Sequence, residues 1–139
     1  MQITPIHTSF IMPTKGSEFS GAFDIYMPIA GCANNTSQLI GLGFAAAVPT
    51  GHVALLLPRS STGAKYGLEL NNTCGVIDSD YRGEWKAALR VKSDIPLYWK
   101  EGDRLLQFLI VPVANVYLTL VSALDSTVRG SDGFGSSGK

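Results

Sequence analysis

Apolar residues along this chain fall in short runs at residues 39–48, 52–57, 85–91 and 104–111, with Gly, Pro, Asn or Asp breaking the chain around them. Runs of that length, bounded by turn formers, predict β-strands. Residues 113–120, VANVYLTL, are rich in β-branched and aromatic side chains and partly alternate, which predicts one more strand lying half-buried against a core. No stretch sustains a helical period. Only residues 60–66, opened by two serines, predict an N-capped turn or a single brief helix. The pattern is all-β: short strands forming a jelly-roll or a distorted β-barrel, with at most one short helix.

Composition narrows the picture. At 139 residues and 45% hydrophobic content the chain suits one domain with a sizeable core. Its formal net charge is zero, so it lacks the basic footprint of a duplex nucleic-acid binder, while a small anionic ligand stays open. Cys32 and Cys74 are far apart and show neither metal-ligand spacing nor the density of a secreted disulfide scaffold. No basic, apolar, small-residue signal opens the chain, and no apolar run reaches the roughly 18 residues of a membrane span. The expectation is a soluble cytoplasmic protein, in the host cytoplasm if the source is a virus or phage.

At residue 129 the composition changes. The stretch 129–139, RGSDGFGSSGK, holds four glycines and three serines but a single large apolar side chain, Phe134. It cannot fold alone, so the chain divides into a core over residues 1–128 and a flexible arm over 129–139. Closely spaced glycines let backbone N–H groups approach a ligand. An arginine can fork onto phosphate, serines add hydroxyl donors, and a phenylalanine offers a stacking face. Those are the parts of a nucleotide lid.

The richest chemistry lies at residues 75–85, GVIDSDYRGEW, which read as a tight β-hairpin carrying Asp78, Asp80, Tyr81 and Arg82. A carboxylate is ordinarily ionised at neutral pH and accepts a proton from water when held within reach. Asp residues in turns also cap the backbone, the role expected of Asp80. In PRSSTGAK, residues 58–65, the turn before a possible helix start directs N–H groups and hydroxyls to one place, which suits phosphate.

Five blocks in order, GAFDI at 21–25, PRSSTGAKYGL at 58–68, GVIDSDYRGE at 75–84, GDRLLQFLI at 102–110 and RGSDGFGSSG at 129–138, closely resemble the motifs of the trimeric dUTP pyrophosphatases, the dUTPases. The resemblance spans nearly the whole chain. It implies a homotrimer of jelly-roll subunits that hydrolyses dUTP to dUMP and pyrophosphate with Mg²⁺, each active site built from three chains and closed by a neighbour's arm. By resemblance Asp78 is the general base that activates water against the α-phosphorus, and Gln107 sits near that water. Arg59 and Ser60 face phosphates, with Ser61 and Lys65 as weaker matches. The deoxyribose packs on Tyr81, leaving no room for a 2′-hydroxyl. Main-chain groups of Gly75, Val76 and Ile77, aided by Asn72, read uracil. Arg129, Phe134, Gly135, Ser136 and Ser137 belong to the arm. Asp24 matches a carboxylate that reaches Mg²⁺ through water, and the ion otherwise takes its oxygens from the triphosphate. Asp103 and Arg104 are expected to form a structural ion pair. His7 and His52 are expected at the surface or in structural roles.

Two positions depart from the family pattern. Gly21 stands one place early, which shifts the turn ahead of Asp24, and Leu106 replaces a usually small residue, so its volume must be absorbed in the core or at a subunit interface. Two other readings remain: a dCTP deaminase-like enzyme of similar fold, which uses a glutamate in the corresponding segment, and a non-catalytic nucleotide-binding regulatory protein. Asp78, Gln107 and the intact arm point to the pyrophosphatase.

Overall fold

The computed structural model describes residues 1–131 and 133. The elements, in chain order, are β1 (Gln2–Pro5), β2 (Thr14–Lys15), β3 (Phe23–Tyr26), β4 (Gly31–Ala33), β5 (Gln38–Gly41), β6 (Phe44–Ala47), β7 (His52–Pro58), α1 (Ser60–Tyr66), β8 (Leu68–Leu70), β9 (Gly75–Ile77), β10 (Lys86–Val91), β11 (Leu97–Trp99) and β12 (Arg104–Pro112). A five-stranded sheet in the order β2-β3-β12-β7-β9 packs with a three-stranded sheet, β5-β10-β8, and the pairs β1-β6 and β11-β4 complete jelly-roll-like layers. The sheets do not close into a barrel, and every pairing is antiparallel.

The core follows from strand alternation. In β10 Ala87, Leu89 and Val91 point inward, and in β7 Ala54 and Leu56 do. A register shift in β12 between Arg104 and Leu106 lets two consecutive leucines, Leu105 and Leu106, both be buried. Leu106 is fully enclosed within its own subunit, so its extra volume is absorbed in the core. Trp85 sits at the centre, 5.2 Å from the Phe44 ring and edge-on to Phe108 at 5.1 Å. On the outer face of β8 and β10, Glu69 accepts from Arg90 Nε at 2.6 Å and pairs with Lys92 Nζ at 2.9 Å. The Lys92 bond foremost, then Arg90, holds the Glu69 carboxyl below its ordinary range against the opposing pull of desolvation.

The brief helix forms as expected, but neither serine caps it. Arg59 is the N-cap residue and makes no side-chain capping bond, so Ser60 and Ser61 lie inside the first turn. Thr62 ties the turn down instead: its buried hydroxyl lies 2.7 Å from the Leu105 carbonyl and 2.9 Å from the Arg59 carbonyl, which share its one proton. Gly67 ends the helix in the left-handed region at φ 64°, a conformation that side-chain-bearing residues rarely adopt, and its carbonyl accepts the Lys92 N–H.

Two expectations are corrected. Residues 113–120 form no strand: the ladder stops at Pro112, Val113 N–H donates to the Gly51 carbonyl, and Leu118 and Leu120 are 98% and 100% exposed. The strand-like pattern is real, but within its own chain the segment meets no sheet edge to pair with. Nor do residues 75–85 make a tight hairpin. β9 pairs with β7 and β10 pairs with β5 and β8, so residues 78–85 cross between two sheets. Among the described residues no helix is long and apolar enough to cross a membrane.

Candidate active site

The first cleft, about 440 Å³, is lined by Asp24, Arg59, Ser60 and Gln107 together with Gly16 and Ser20. Strand register assembles it: Asp24 of β3 lies opposite Gln107 of β12, and Gln107 lies opposite Leu57 of β7, two residues before Arg59. Asp24 is inside the strand, so the early glycine at position 21 affects only the loop before it. The Asp24 side chain is 9% exposed and holds two guanidinium groups, Arg59 Nε on Oδ1 at 2.9 Å and Arg104 Nη1 on Oδ2 at 3.2 Å. Arg59 also donates to the Arg104 carbonyl at 3.3 Å. Arg104 therefore does not pair with Asp103, whose carboxylate instead accepts the Lys100 N–H at 2.8 Å and closes the turn before β12. Arg104 is a member of this cluster that adjacency in sequence conceals. Gln107 donates to the Pro58 carbonyl at 3.1 Å, which fixes its amide beside Arg59. Ser61 is exposed on α1 and does not line the cleft.

The second cleft, about 180 Å³, is lined by Val76, Ile77, Asp78, Tyr81 and Lys86. β9 is the last strand of its sheet, and β10 pairs with β8 only through Leu89, Arg90 and Val91. The outer edge of β9, and the edge of the first residues of β10 that faces away from β5, thus leave main-chain groups without a strand partner at this groove. Asp78 is exposed and makes no side-chain hydrogen bond or ion pair among the described residues, leaving a carboxylate free to accept a proton. The turn after it is closed by Tyr81 N–H on the Asp78 carbonyl, and Arg82 Nη1 donates to the carbonyls of Ser79 and Tyr81 at 2.7 and 2.9 Å. Arg82 thereby takes the closing role expected of Asp80, whose side chain makes no such bond. The Tyr81 hydroxyl reaches past Gly83 to donate to the Glu84 carbonyl at 3.0 Å, in space that a Cβ on residue 83 would occupy. Gly75 is buried in β9, and Asn72 donates to the Cys74 carbonyl at 3.1 Å just before that strand, outside the cleft lining.

One chain does not bring the two clefts together. Ile77 pairs with Ala54, so Asp78 lies level with residue 53 of β7, whereas Gln107 lies level with Leu57 on the other side of that strand. Four residues along and two strand spacings across separate them by about 13 Å and about 10 Å respectively, and Arg59 is farther still. No side chain spans that gap. Arg129 is exposed beyond the last strand, and Phe134, Gly135, Ser136 and Ser137 lie outside the described residues. No group of three or more His, Cys, Asp or Glu among the described residues could hold a metal ion. His7 and His52 bond only to nearby backbone, and Cys32 and Cys74 are free thiols. Another cavity, about 590 Å³ between Lys65 and Tyr98, lies at the other end of α1 and is lined by no carboxylate.

These features define a jelly-roll protein with a cleft that joins an arginine, a serine and a glutamine, and a separate cleft carrying a free carboxylate beside unpaired strand edges. Comparison with known proteins is specific. Residues 8–138 match the dUTPase family, and the chain belongs to it. It is 40% identical over 135 residues to the deoxyuridine 5'-triphosphate nucleotidohydrolase of Shewanella sp. strain MR-7, covering 96% of this chain and 87% of the relative. It is 38% identical over 129 residues to the probable enzyme of that name from Schizosaccharomyces pombe, covering 91% and 90%. Among solved structures, the Staphylococcus bacteriophage 80alpha dUTPase with dUpNHpp superposes with a TM-score of 0.84 at 23% identity, over 99% of this chain and 98% of that one. A point mutant of the dUTPase of Staphylococcus aureus phage phi11, described with a structural Mg(II) ion, gives 0.81 at 21% identity over 90% and 98%. At those identities the structures attest the fold, which is the jelly-roll seen here.

Proposed function

We propose that this protein hydrolyses dUTP to dUMP and pyrophosphate, in a homotrimer whose sites combine the Asp78 cleft of one chain with the Arg59–Gln107 cleft of another. The observation that carries this reading is the separation itself: an unpaired carboxylate and a phosphate-suited cleft, each well formed, stand too far apart in one chain to serve one substrate. A second copy resolves the mismatch. The exposed apolar residues Tyr117, Leu118, Leu120 and Leu124 beyond β12 support the same assembly, since they lack cover within their own subunit.

In that site the base enters the groove between β9 and β10. Main-chain groups of Gly75, Val76 and Ile77 pair with uracil, and Asn72 stiffens the entry to β9. Tyr81, held by its bond to Glu84, packs on the deoxyribose and excludes a 2′-hydroxyl. The phosphates meet Arg59 and the first turn of α1, where Ser60, and at its margin Ser61, add hydroxyls and N–H groups without helical partners. Asp78 takes a proton from water, the water oxygen bonds to the α-phosphorus in line with the departing pyrophosphate, and the bridging P–O bond breaks. Gln107 orients the water, and the acquired proton passes from Asp78 to solvent. Arg129, with Phe134, Gly135, Ser136 and Ser137, closes over the nucleotide as a flexible arm following a core that ends at residue 128.

The donor set fits Mg²⁺ only as an ion brought by the triphosphate, because Asp24 is the single buried carboxylate in the cleft and acts through water beyond its bonds to the arginines. When bound, the ion neutralises phosphate charge and orients the chain of phosphates. Pyrophosphate release from dUTP, dCTP, dTTP and UTP, measured on the purified protein, tests the proposal. Strong preference for dUTP is expected; preference for none of the four, or deamination of dCTP, contradicts it.

A further inference from the structure

Glu84 carries a carboxylate outside both cleft linings. It is half-buried, and among the described residues no cation lies within salt-bridge distance of it. Its Oε1 instead accepts the Gly43 N–H at 3.1 Å. The same carboxylate fills the space beside Gly41, where an added Cβ would stand 2.5 Å from Oε1 and 3.0 Å from Cδ. A half-buried charge spent on one backbone N–H, with no cation to answer it, has a positional use.

Gly43 turns the chain between β5 and β6 at φ 76°, and its carbonyl accepts the N–H groups of Ile6 and His7, so this turn is tied to the chain that follows β1. The peptide joining Glu84 to Trp85 meets the next residue of the turn. Its N–H, on Trp85, donates to the Phe44 carbonyl at 2.9 Å, and its C=O, pointing the opposite way, accepts the Tyr81 hydroxyl at 3.0 Å. On its C-terminal side that peptide is held by the fully buried Trp85. On its N-terminal side stands Gly83, which has no side chain to pack, and there the Glu84 carboxylate on Gly43 is the tie. The Tyr81 hydroxyl therefore rests on a carbonyl whose direction is fixed from both sides.

We propose that Glu84 is a positioning residue for sugar selection: its carboxylate, clamped on Gly43, holds the carbonyl that seats the Tyr81 hydroxyl and so sets the ring against a 2′-hydroxyl. The proposal rests on reading Tyr81 as the surface on which the deoxyribose packs. It extends that selection to a side chain and a turn that touch no part of the nucleotide.

Binding of dUMP and UMP to the full-length protein by titration calorimetry tests it without requiring catalysis. Glu84→Ala should lower the dUMP-to-UMP affinity ratio by about threefold to tenfold, the span of one lost hydrogen bond, mainly by admitting UMP. Glu84→Gln keeps an oxygen acceptor for the Gly43 N–H and should retain most of the ratio. Gly41→Ala leaves Glu84 in place but pushes its carboxylate aside, and should lower the ratio as Glu84→Ala does. Once the carboxylate is gone that methyl has nothing to displace, so the double variant should match Glu84→Ala alone. An unchanged ratio in both Glu84→Ala and Gly41→Ala, with Tyr81→Ala lowering it, overturns the proposal and leaves the packing of the sugar on Tyr81 standing. Equal weakening of both nucleotides also overturns it, since that would be a general loosening of the fold. A wild-type protein that binds the two sugars equally overturns the proposal together with the steric role of Tyr81. A wild type that discriminates between them yet releases no pyrophosphate from dUTP contradicts the functional reading alone.

Discussion

Asp24→Asn removes one charge from a cluster in which a single carboxylate holds two guanidinium groups. Its side chain is 9% exposed, while those of Arg59 and Arg104 are 29% and 42% exposed. Breaking a fully buried pair from one side costs about 3–5 kcal/mol, and fully exposed pairs contribute about 0–1 kcal/mol. A buried acceptor with partly solvated partners falls between, so the expected loss is about 1–2 kcal/mol. For a chain of this size that lowers the melting temperature by roughly 2–8 °C at fixed protein concentration. The effect on catalysis should be larger in relative terms. Arg59 loses the bond that sets its plane toward the phosphates, and misplacement of such a group by about 1 Å can lower kcat/KM by about 10²-fold. The assay is pyrophosphate release across a Mg²⁺ titration, with calorimetric melting alongside. Because both Asp24 oxygens hold arginines, raising Mg²⁺ should not restore the rate. Full recovery at high Mg²⁺ would refute the reasoning, because it would make the water-mediated contact with the ion, not the hold on Arg59, the main contribution of Asp24.

Asp78→Asn should leave dUTP binding within about tenfold and lower kcat by roughly 10² to 10⁴, and wild-type turnover by a folded trimer would remove Asp78 from the chemistry. Gly83→Ala places a methyl where the Tyr81 hydroxyl lies, so the ring should swing away and the kcat/KM preference for dUTP over UTP should drop, with Tyr81→Ala showing the same direction; an unchanged ratio in both counts against a steric role. Deleting residues 129–139 should keep the melting temperature close to normal but lower kcat by at least roughly 10², and a truncated protein of full activity would dispense with the arm.

The strands were legible where burial is decided within one chain. Ala87, Leu89 and Val91 alternate with outward residues because a single sheet face sets their environment. Residues 113–120 show where that logic stops: their β-branched and aromatic character reports burial of some kind, but a partner surface is a property of the assembly, not of local spacing. The supposed hairpin at 75–85 failed for a related reason. Turn-forming residues at 78–83 mark a reversal, yet the pairing of Ile77 with Ala54 is long-range and pulls β9 into a different sheet from β10. Proximity in sequence likewise suggested Asp103 for Arg104, although β12 lies beside β3 and delivers Arg104 to Asp24. Motif resemblance named the residues of both clefts and implied sites shared between chains, and strand register supplies the distances that hold the clefts apart in one chain.

Mixing two inactive variants tests that division most directly. Asp78→Asn and Arg59→Ala are each expected to be nearly inactive alone, since each disables one of the two clefts in every site. After subunit exchange at equal concentrations, about one quarter of sites should join an intact Asp78 to a different chain's intact Arg59, with activity returning in proportion. Mass spectrometry or labelled-subunit exchange establishes that mixed trimers have formed. Recovery of pyrophosphate release from dUTP is the predicted result, whereas proven mixed trimers with no recovery would mean that each chain builds its own site.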